Sequence, residues 1–258
     1  MRLDSYLFEK GIYPSRTKAS EAILRGEVLY NGKIVKASLE VSNESLISYV
    51  NDTETFVSNG GYKLEKALND FNFDVSGLVF ADIGASNGGF TDCLLKRNSK
   101  KVYAIDVGES QLHPSLLNDS RVAVIDNFNA RNLTINELNG YVDGITCDVS
   151  FISLTYLLNA VYSVLKENGV AFLLIKPQFE CGKEFLGKSG IVKNVKVRKQ
   201  ACIKIYDFAV SLGFKVVGFT TAPIKEKKNV EYVIMLKKGG TYNEVTAKNI
   251  EDTVYLEK

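Results

Sequence analysis

VFADIGASNGGF, residues 79–90, decides how this chain folds. The apolar pair Val79-Phe80 leads to Asp82. A small-residue turn follows, Gly84-Ala85-Ser86-Asn87-Gly88-Gly89, and Phe90-Thr91 opens a helical pattern. The order is strand, glycine turn, helix. Glycine lets a ligand approach the backbone because it has no Cβ and tolerates positive φ, and the free amides of a helix start point into the same crevice. The spacing is not G-x-G-x-x-G, which receives a pyrophosphate. It is G-x-x-x-G-G with an acid two residues upstream, a pattern suited to a nucleoside without pyrophosphate, S-adenosylmethionine being the candidate. An ordinary βα turn of a doubly wound sheet fits the same residues.

Strand-like runs recur at 79–83, 102–106, 122–125, 142–147, 170–175, 215–220 and 230–236, with helical stretches at 90–97, 153–166 and 195–212. Continuous apolar strands alternating with helices predict a mostly parallel α/β sheet. The last two strands are joined only by 221–229, too short for a helical crossover, so they are expected to form an antiparallel hairpin. A parallel sheet closed this way is the class I, Rossmann-like methyltransferase arrangement. The tail 241–258 reads as polar.

Ligands of such sheets bind outside the carboxyl ends of the strands. Asp82 is expected to end the first strand, and Asp106 the second, where an acid accepts bonds from ribose hydroxyls. Asp148 follows the fourth and Lys176 the fifth, while Glu231 opens the reversed last strand. These side chains should converge. Methyl transfer to a hydroxyl needs alignment and a base, and a lysine whose pKa is lowered by burial and a second cation serves as one. Lys176, directly after an apolar strand, is the candidate. A structural salt-bridge cluster at the sheet edge is the competing explanation.

Composition limits the alternatives. The four cysteines are scattered without a C-x-x-C pair, against zinc and a disulfide framework and in favour of a reducing cytoplasm. One histidine, His113, leaves no room for a multi-histidine metal site or a histidine triad, so no metal is expected. No run is apolar enough to span a bilayer, so no membrane partner is expected. Net charge is +2, yet residues 176–238 carry fourteen Lys or Arg against five Asp or Glu, a plausible footprint for a polyanion.

Residues 1–57 read as a separate module. Leu3, Tyr6 and Leu7 share one helical face that ends at Gly11. Ser15 is a natural cap for a second helix with Ala19, Ala22 and Ile23, closed by Gly26. Asn31-Gly32 between Val28-Leu29-Tyr30 and Ile34-Val35 predicts a hairpin. Residues 51–58 are polar and fit a linker. The ordered set Arg2-Leu3-Asp4, Leu7, Gly11, Ser15-Arg16, Lys18-Ala19, Ile23, Gly26, Val28, Asn31-Gly32 and Val35 resembles the S4 RNA-binding domain. That resemblance implies RNA contacts at Arg2, Ser15, Arg16, Lys18, Arg25 and Lys33. The module holds seven basic and eight acidic residues, so any RNA face is local.

Beyond the module, the chain resembles the TlyA (haemolysin A-like) group of S4-domain ribosomal RNA 2′-O-ribose methyltransferases, related to the FtsJ/RrmJ type. The resemblance rests on Ser58-x-Gly60-Gly61-x-Lys63-Leu64, the 82–91 turn, Asp106-Val107-Gly108, Asn129-Ala130-Arg131-Asn132, Asp148 through Leu154, Lys176 through Glu180, and Asn229-Val230-Glu231. Locally Lys63 fits a helix-surface lysine; the resemblance instead implies a catalytic Lys-Asp-Lys-Glu tetrad of Lys63, Asp148, Lys176 and Glu231. It further implies S-adenosylmethionine held by Asp82, Gly84, Ser86, Gly88, Gly89, Phe90, Asp106, Asn129 and Asp148. The implied partner is ribosomal RNA or a ribosomal subunit, with a cytidine 2′-oxygen as acceptor and a cytoplasmic monomer as the enzyme. The family usually has Arg where Asn59 stands. An S4 motif beginning at Arg2 resembles the subgroup that modifies large-subunit RNA. The division expected is an S4-like domain over 1–57, a methyltransferase domain over 58–240 and the tail. An RNA-binding protein with an inactive catalytic domain, or a NAD-dependent oxidoreductase, are the alternatives; nothing in the sequence favours haemolysin activity.

Overall fold

The computed structural model of the chain describes residues 1–13, 15–24, 26–49, 56–109, 111–187, 189–223 and 228–256. Its contacts divide it into two units, Met1–Thr55 and Phe56–Lys258. In the first, helices α1 (Leu3–Glu9) and α2 (Arg16–Leu24) pack Leu3, Leu7, Ala19, Ala22 and Ile23 into one small core with Val28. The Asn31-Gly32 turn forms, both residues adopting positive φ, and Tyr30 bridges Lys33 across it. The hairpin expected beyond that turn does not. Strand β1 (Val28–Tyr30) pairs antiparallel with β2 (Ile47–Tyr49). Asn31 donates its backbone N–H to Leu46 O, and Val35 packs against the helical core instead of extending a strand.

The second unit opens before the expected boundary. Phe56, assigned to the linker by its polar neighbours, is buried in the core, and the Val57 N–H donates to Asp92 Oδ2 at 2.8 Å. Helix α3 (Asn59–Asp70) follows, capped by the Ser58 hydroxyl on Gly60 N, with Leu64, Ala67 and Leu68 on its buried face. Then come β3 (Val79–Ile83), α4 (Gly89–Lys96), β4 (Lys101–Ile105), α5 (Pro114–Leu117), β5 (Val122–Ile125), β6 (Val142–Cys147) and α6 (Leu158–Val164). The chain continues through β7 (Leu165–Ile175), α7 (Pro177–Glu180), α8 (Val195–Ser211), β8 (Phe214–Thr221), β9 (Tyr232–Lys238) and α9 (Ala247–Leu256). The helix expected over 153–166 is a 3-10 turn at Leu154–Tyr156 followed by α6. The next strand starts early, at Leu165, and is irregular around Asn168, whose φ is positive.

The sheet order is β5-β4-β3-β6-β7-β9-β8. Every neighbouring pair is parallel except those of β9, which runs antiparallel between β7 and β8. Period-two alternation sends Phe80 to the core under α3 and α4, and Ala81 and Ile83 to the core on the opposite face. Ile83 is level with Ile105 and Cys147, and Ile175 with Tyr232. Asp106, Asp148, Lys176 and Glu231 therefore leave the sheet along one edge. Among the described residues no helix is long and apolar enough to cross a membrane. The tail is not merely polar: Ile250 and Val254 of α9 are fully buried against the core that contains α8 and β8 residues.

Candidate active site

Between the ends of β3, β4 and β6 lies a cleft of about 490 Å³, within the usual range for small-molecule sites. Gly84, Ser86, Asp106, Asn129 and Asp148 line it, as the sequence suggested. Gly84 has φ +80, and a Cβ there would sit 2.7 Å from the Asp148 carbonyl, so only glycine lets the turn lie this close to the next strand. Asp106 is held by the turn itself: Oδ2 accepts from Ser86 N at 2.9 Å and Oδ1 from Gly108 N at 3.0 Å. Each oxygen keeps acceptor capacity for a hydroxyl. Asn129 caps a 3-10 turn by accepting from Arg131 N. The apolar Val107, 74% exposed, follows Asp106 in the lining. These donors, acceptors and apolar surfaces fit a nucleoside-type ligand.

Four residues expected around the cofactor lie elsewhere. Asp82 does not end its strand; Ile83 does. Its carboxylate is fully buried, accepting from Thr91 Oγ1 at 2.7 Å and Thr146 Oγ1 at 2.8 Å, and so supports the turn from beneath. Burial pushes its pKa up to about 6, against the two hydroxyl bonds and with added repulsion from Asp148. Gly88 packs on Leu112 and Leu116. Gly89 packs on α3, where a Cβ would meet Ser58 Oγ at 2.2 Å and Gly61 N at 2.9 Å. Phe90 is in the core. The glycine pair thus lets the start of α4 pack closely on α3 and on the Leu112 and Leu116 side chains.

At the far side of Asp148 the charged residues meet. Lys63 Nζ lies 2.7 Å from Glu231 Oε2 and 3.5 Å from Asp148 Oδ2. Lys176 Nζ lies 2.5 Å from Asp148 Oδ1, an ion pair without hydrogen-bond alignment; its aligned acceptor is Ser150 Oγ at 2.9 Å. All four side chains are largely buried, Lys176 most deeply. Lys63 therefore has both carboxylates while Lys176 shares one. Burial disfavours the Lys63 ammonium, but Asp148 and Glu231 more than offset this, and its pKa lies above the ordinary lysine value. Gln178 Nε2 reaches Glu231 Oε1 at 3.4 Å, and its Oε1 is buried without a partner among the described residues.

Sequence reasoning missed Phe151. It is 91% exposed, holds φ +65, lines the cleft and meets the Phe179 ring at 5.0 Å. An aromatic in a short loop leaving a strand at the ligand edge was the available signal. Arg131, also in the lining, covers the Tyr156 ring. In the first unit, Arg2 and Arg16 are not simple surface charges. Both reach the buried Asp4, Arg2 through Nε at 3.0 Å and Nη2 at 2.9 Å, Arg16 through Nη2 at 3.3 Å. Arg2 holds that carboxyl down at about 2. Ser15 caps α2 by accepting from Lys18 N, and Lys18 pairs with Glu21. Lys33 is exposed; Arg25 lies outside the described residues. Among the described residues no group of acids, cysteines or histidine is arranged to hold a metal.

Comparison with known proteins matches both units. Residues 56–238 match the FtsJ-like methyltransferase family and residues 1–47 the S4 domain. The chain is 40% identical over 236 residues to Hemolysin A of Brachyspira hyodysenteriae, covering 90% of this chain and 98% of that one. It is 38% identical over 257 residues to the 16S/23S rRNA (cytidine-2′-O)-methyltransferase TlyA of Mycobacterium tuberculosis, covering 98% and 96%. A solved structure of a hemolysin-named protein from Streptococcus thermophilus superposes with a TM-score of 0.75 at 34% identity, covering 99% of this chain and 94% of that one.

Proposed function

The chain belongs to the TlyA (haemolysin A-like) group of FtsJ-like methyltransferases with an S4 domain, and from this we propose that it methylates the ribose 2′-hydroxyl of a cytidine in ribosomal RNA. The observation that carries the reading is the unequal sharing of carboxylates. Lys63 sits between Asp148 and Glu231, whereas Lys176 has Asp148 and a neutral serine hydroxyl. S-adenosylmethionine supplies the activated methyl group when bound. Asp106 and Asn129 would hold its nucleoside end, and the Gly84 turn would admit its chain beside Asp148.

A ribose hydroxyl is a weak acid, so its proton must have a receiver at the moment of transfer. Lys176 Nζ is that receiver. Lys63 remains a cation, fixed by Glu231 and Asp148. Asp148 aligns the Lys63 ammonium and the Lys176 amine and takes no proton. Phe151 offers an exposed ring face to the base of the target nucleotide, a contact that orients the sugar without reading sequence. In the S4 unit, Arg2 and Arg16, with Lys18 and Lys33, would bind phosphates and set register on the RNA. Such a substrate places the enzyme in the cytoplasm.

Purified protein incubated with isolated large or small ribosomal subunits and methyl-labelled S-adenosylmethionine tests the reading. Mass spectrometry of the product is expected to place label on a cytidine 2′-oxygen. Label on a base, or none on either subunit, refutes it. Calorimetry with NAD in parallel addresses the oxidoreductase alternative, which the absent G-x-G-x-x-G and the tetrad both oppose.

A further inference from the structure

Glu180 is a buried carboxylate that the reaction as derived does not use. Its side chain is 1% exposed. Oε1 accepts from Leu154 N at 2.8 Å; Oε2 accepts from Ser153 Oγ at 2.5 Å and pairs with Lys204 Nζ at 3.1 Å. Lys204, on α8, also donates to the Glu180 carbonyl and to Ser153 Oγ. Three segments meet here: the loop after β6, helix α7 after β7, and α8. The loop is fastened at its start by Asp148 N to Ile83 O and at its end by Glu180. Between those points lie Ser150, which accepts from Lys176, and Phe151, in a backbone conformation that costs a non-glycine residue energy. Lys176 stands four residues before Glu180 on the other segment.

Resting on the proposed 2′-hydroxyl transfer, we infer that Glu180 is a positioning residue: its carboxylate locks the 148–154 loop to α7, so that Asp148 and Ser150 hold Lys176 and Phe151 stays presented beside Phe179. It touches no reacting atom. A buried acid serving only general stability would have no reason to join the two segments that carry the base and its partners. A carboxylate is suited to this joint because one group accepts from an amide, a hydroxyl and an ammonium at once. Freed at its far end, a seven-residue loop with a strained centre relaxes, and small misplacements of a base are costly in rate.

The test compares wild type with Glu180→Gln, Ser153→Ala and Ser150→Ala, plus the Glu180→Gln/Ser150→Ala double variant. In Glu180→Gln, hydrogen exchange of amides 150–155 should speed up while β6 and β7 keep their protection. Turnover per folded molecule should fall about tenfold or more, with S-adenosylmethionine affinity within about twofold of wild type. Ser153→Ala, which removes one donor and leaves the fold, should show the same changes more weakly, and it carries the test if Glu180→Gln does not fold. The double variant should lose little beyond Glu180→Gln alone, because both act through one loop. Unchanged exchange at 150–155, or a fall in melting temperature with turnover per folded molecule intact, overturns the inference. The exchange measurement decides the clamp even if the wild type transfers no methyl, an outcome that would fail the proposed reaction instead.

Discussion

Asp82→Asn probes the charge beneath the glycine turn. The carboxyl is fully buried with two threonine hydroxyls as partners, and its pKa moves from 3.8 in the unfolded chain to about 6. The sign follows from proton binding. Between those values the folded protein holds a proton that the unfolded chain has released, so stability falls as pH rises through the window. The penalty is absent below the unfolded value and complete above the folded one. At about 1.4 kcal/mol per pH unit, the full effect is about 3 kcal/mol. Asparagine cannot ionise and carries no such dependence, although its lost acceptor adds a cost that does not vary with pH. Urea unfolding of both proteins, followed by circular dichroism from about pH 4 to pH 7.5, isolates the effect, since other titrating groups are common to both. The stability of wild type relative to the variant should drop by about 2–3 kcal/mol across that range. A flat difference, or one that rises with pH, would mean that Asp82 is not a penalised buried charge.

Replacing Lys176 with Met should reduce turnover by about 10²–10⁴-fold, the range for a removed general base, while calorimetry finds S-adenosylmethionine binding near wild type; turnover retained within a few fold excludes it as base. Phe151→Gly separates stability from function: relief of the left-handed backbone should hold or raise the melting temperature, while kcat/KM for RNA falls about tenfold or more through lost stacking. Gly89→Ala should lower stability by about 1–3 kcal/mol, because its Cβ collides with α3 backbone at Gly60 and Gly61 as well as with Ser58, and turnover should fall with it as the helix bearing Lys63 is displaced. A normal melting temperature in that variant would show that the two helices part easily.

The sheet was legible because its signals are periodic. Apolar runs of strand length separated by helical stretches mark a parallel sheet, and the short 221–229 link requires antiparallel neighbours. The edge rule then collected Asp106, Asp148, Lys176 and Glu231 without knowledge of any ligand. Lys63 was different: nothing in its own helix distinguishes it from a solvated lysine, and only the ordered motifs around it, or the fold, bring it within 2.7 Å of a residue 168 positions away. Asp82 and the Gly88-Gly89 pair show the converse. Their spacing marks a ligand turn, but spacing does not tell which atoms face the crevice and which face the helix behind it. Phe56 and Val35 were misassigned because a two-residue apolar run, Phe56-Val57 or Ile34-Val35, is too short to leave a periodic trace.

Helix α9 has a consequence for how the enzyme is handled. The stretch shared with the FtsJ-like family stops at residue 238, whereas the core continues to Val254. Val245 N donates to Val216 O and Glu244 pairs with Lys215, while Glu251 pairs with Lys199 of α8, so the segment after β9 packs on α8 and on β8, the last strand of the sheet. Without it, the edge strand would lose its cover at Val216 beside the vacated sockets of Ile250 and Val254. Chains cut at the family boundary should keep their chemistry in dilute solution and self-associate as concentration rises, edge to edge.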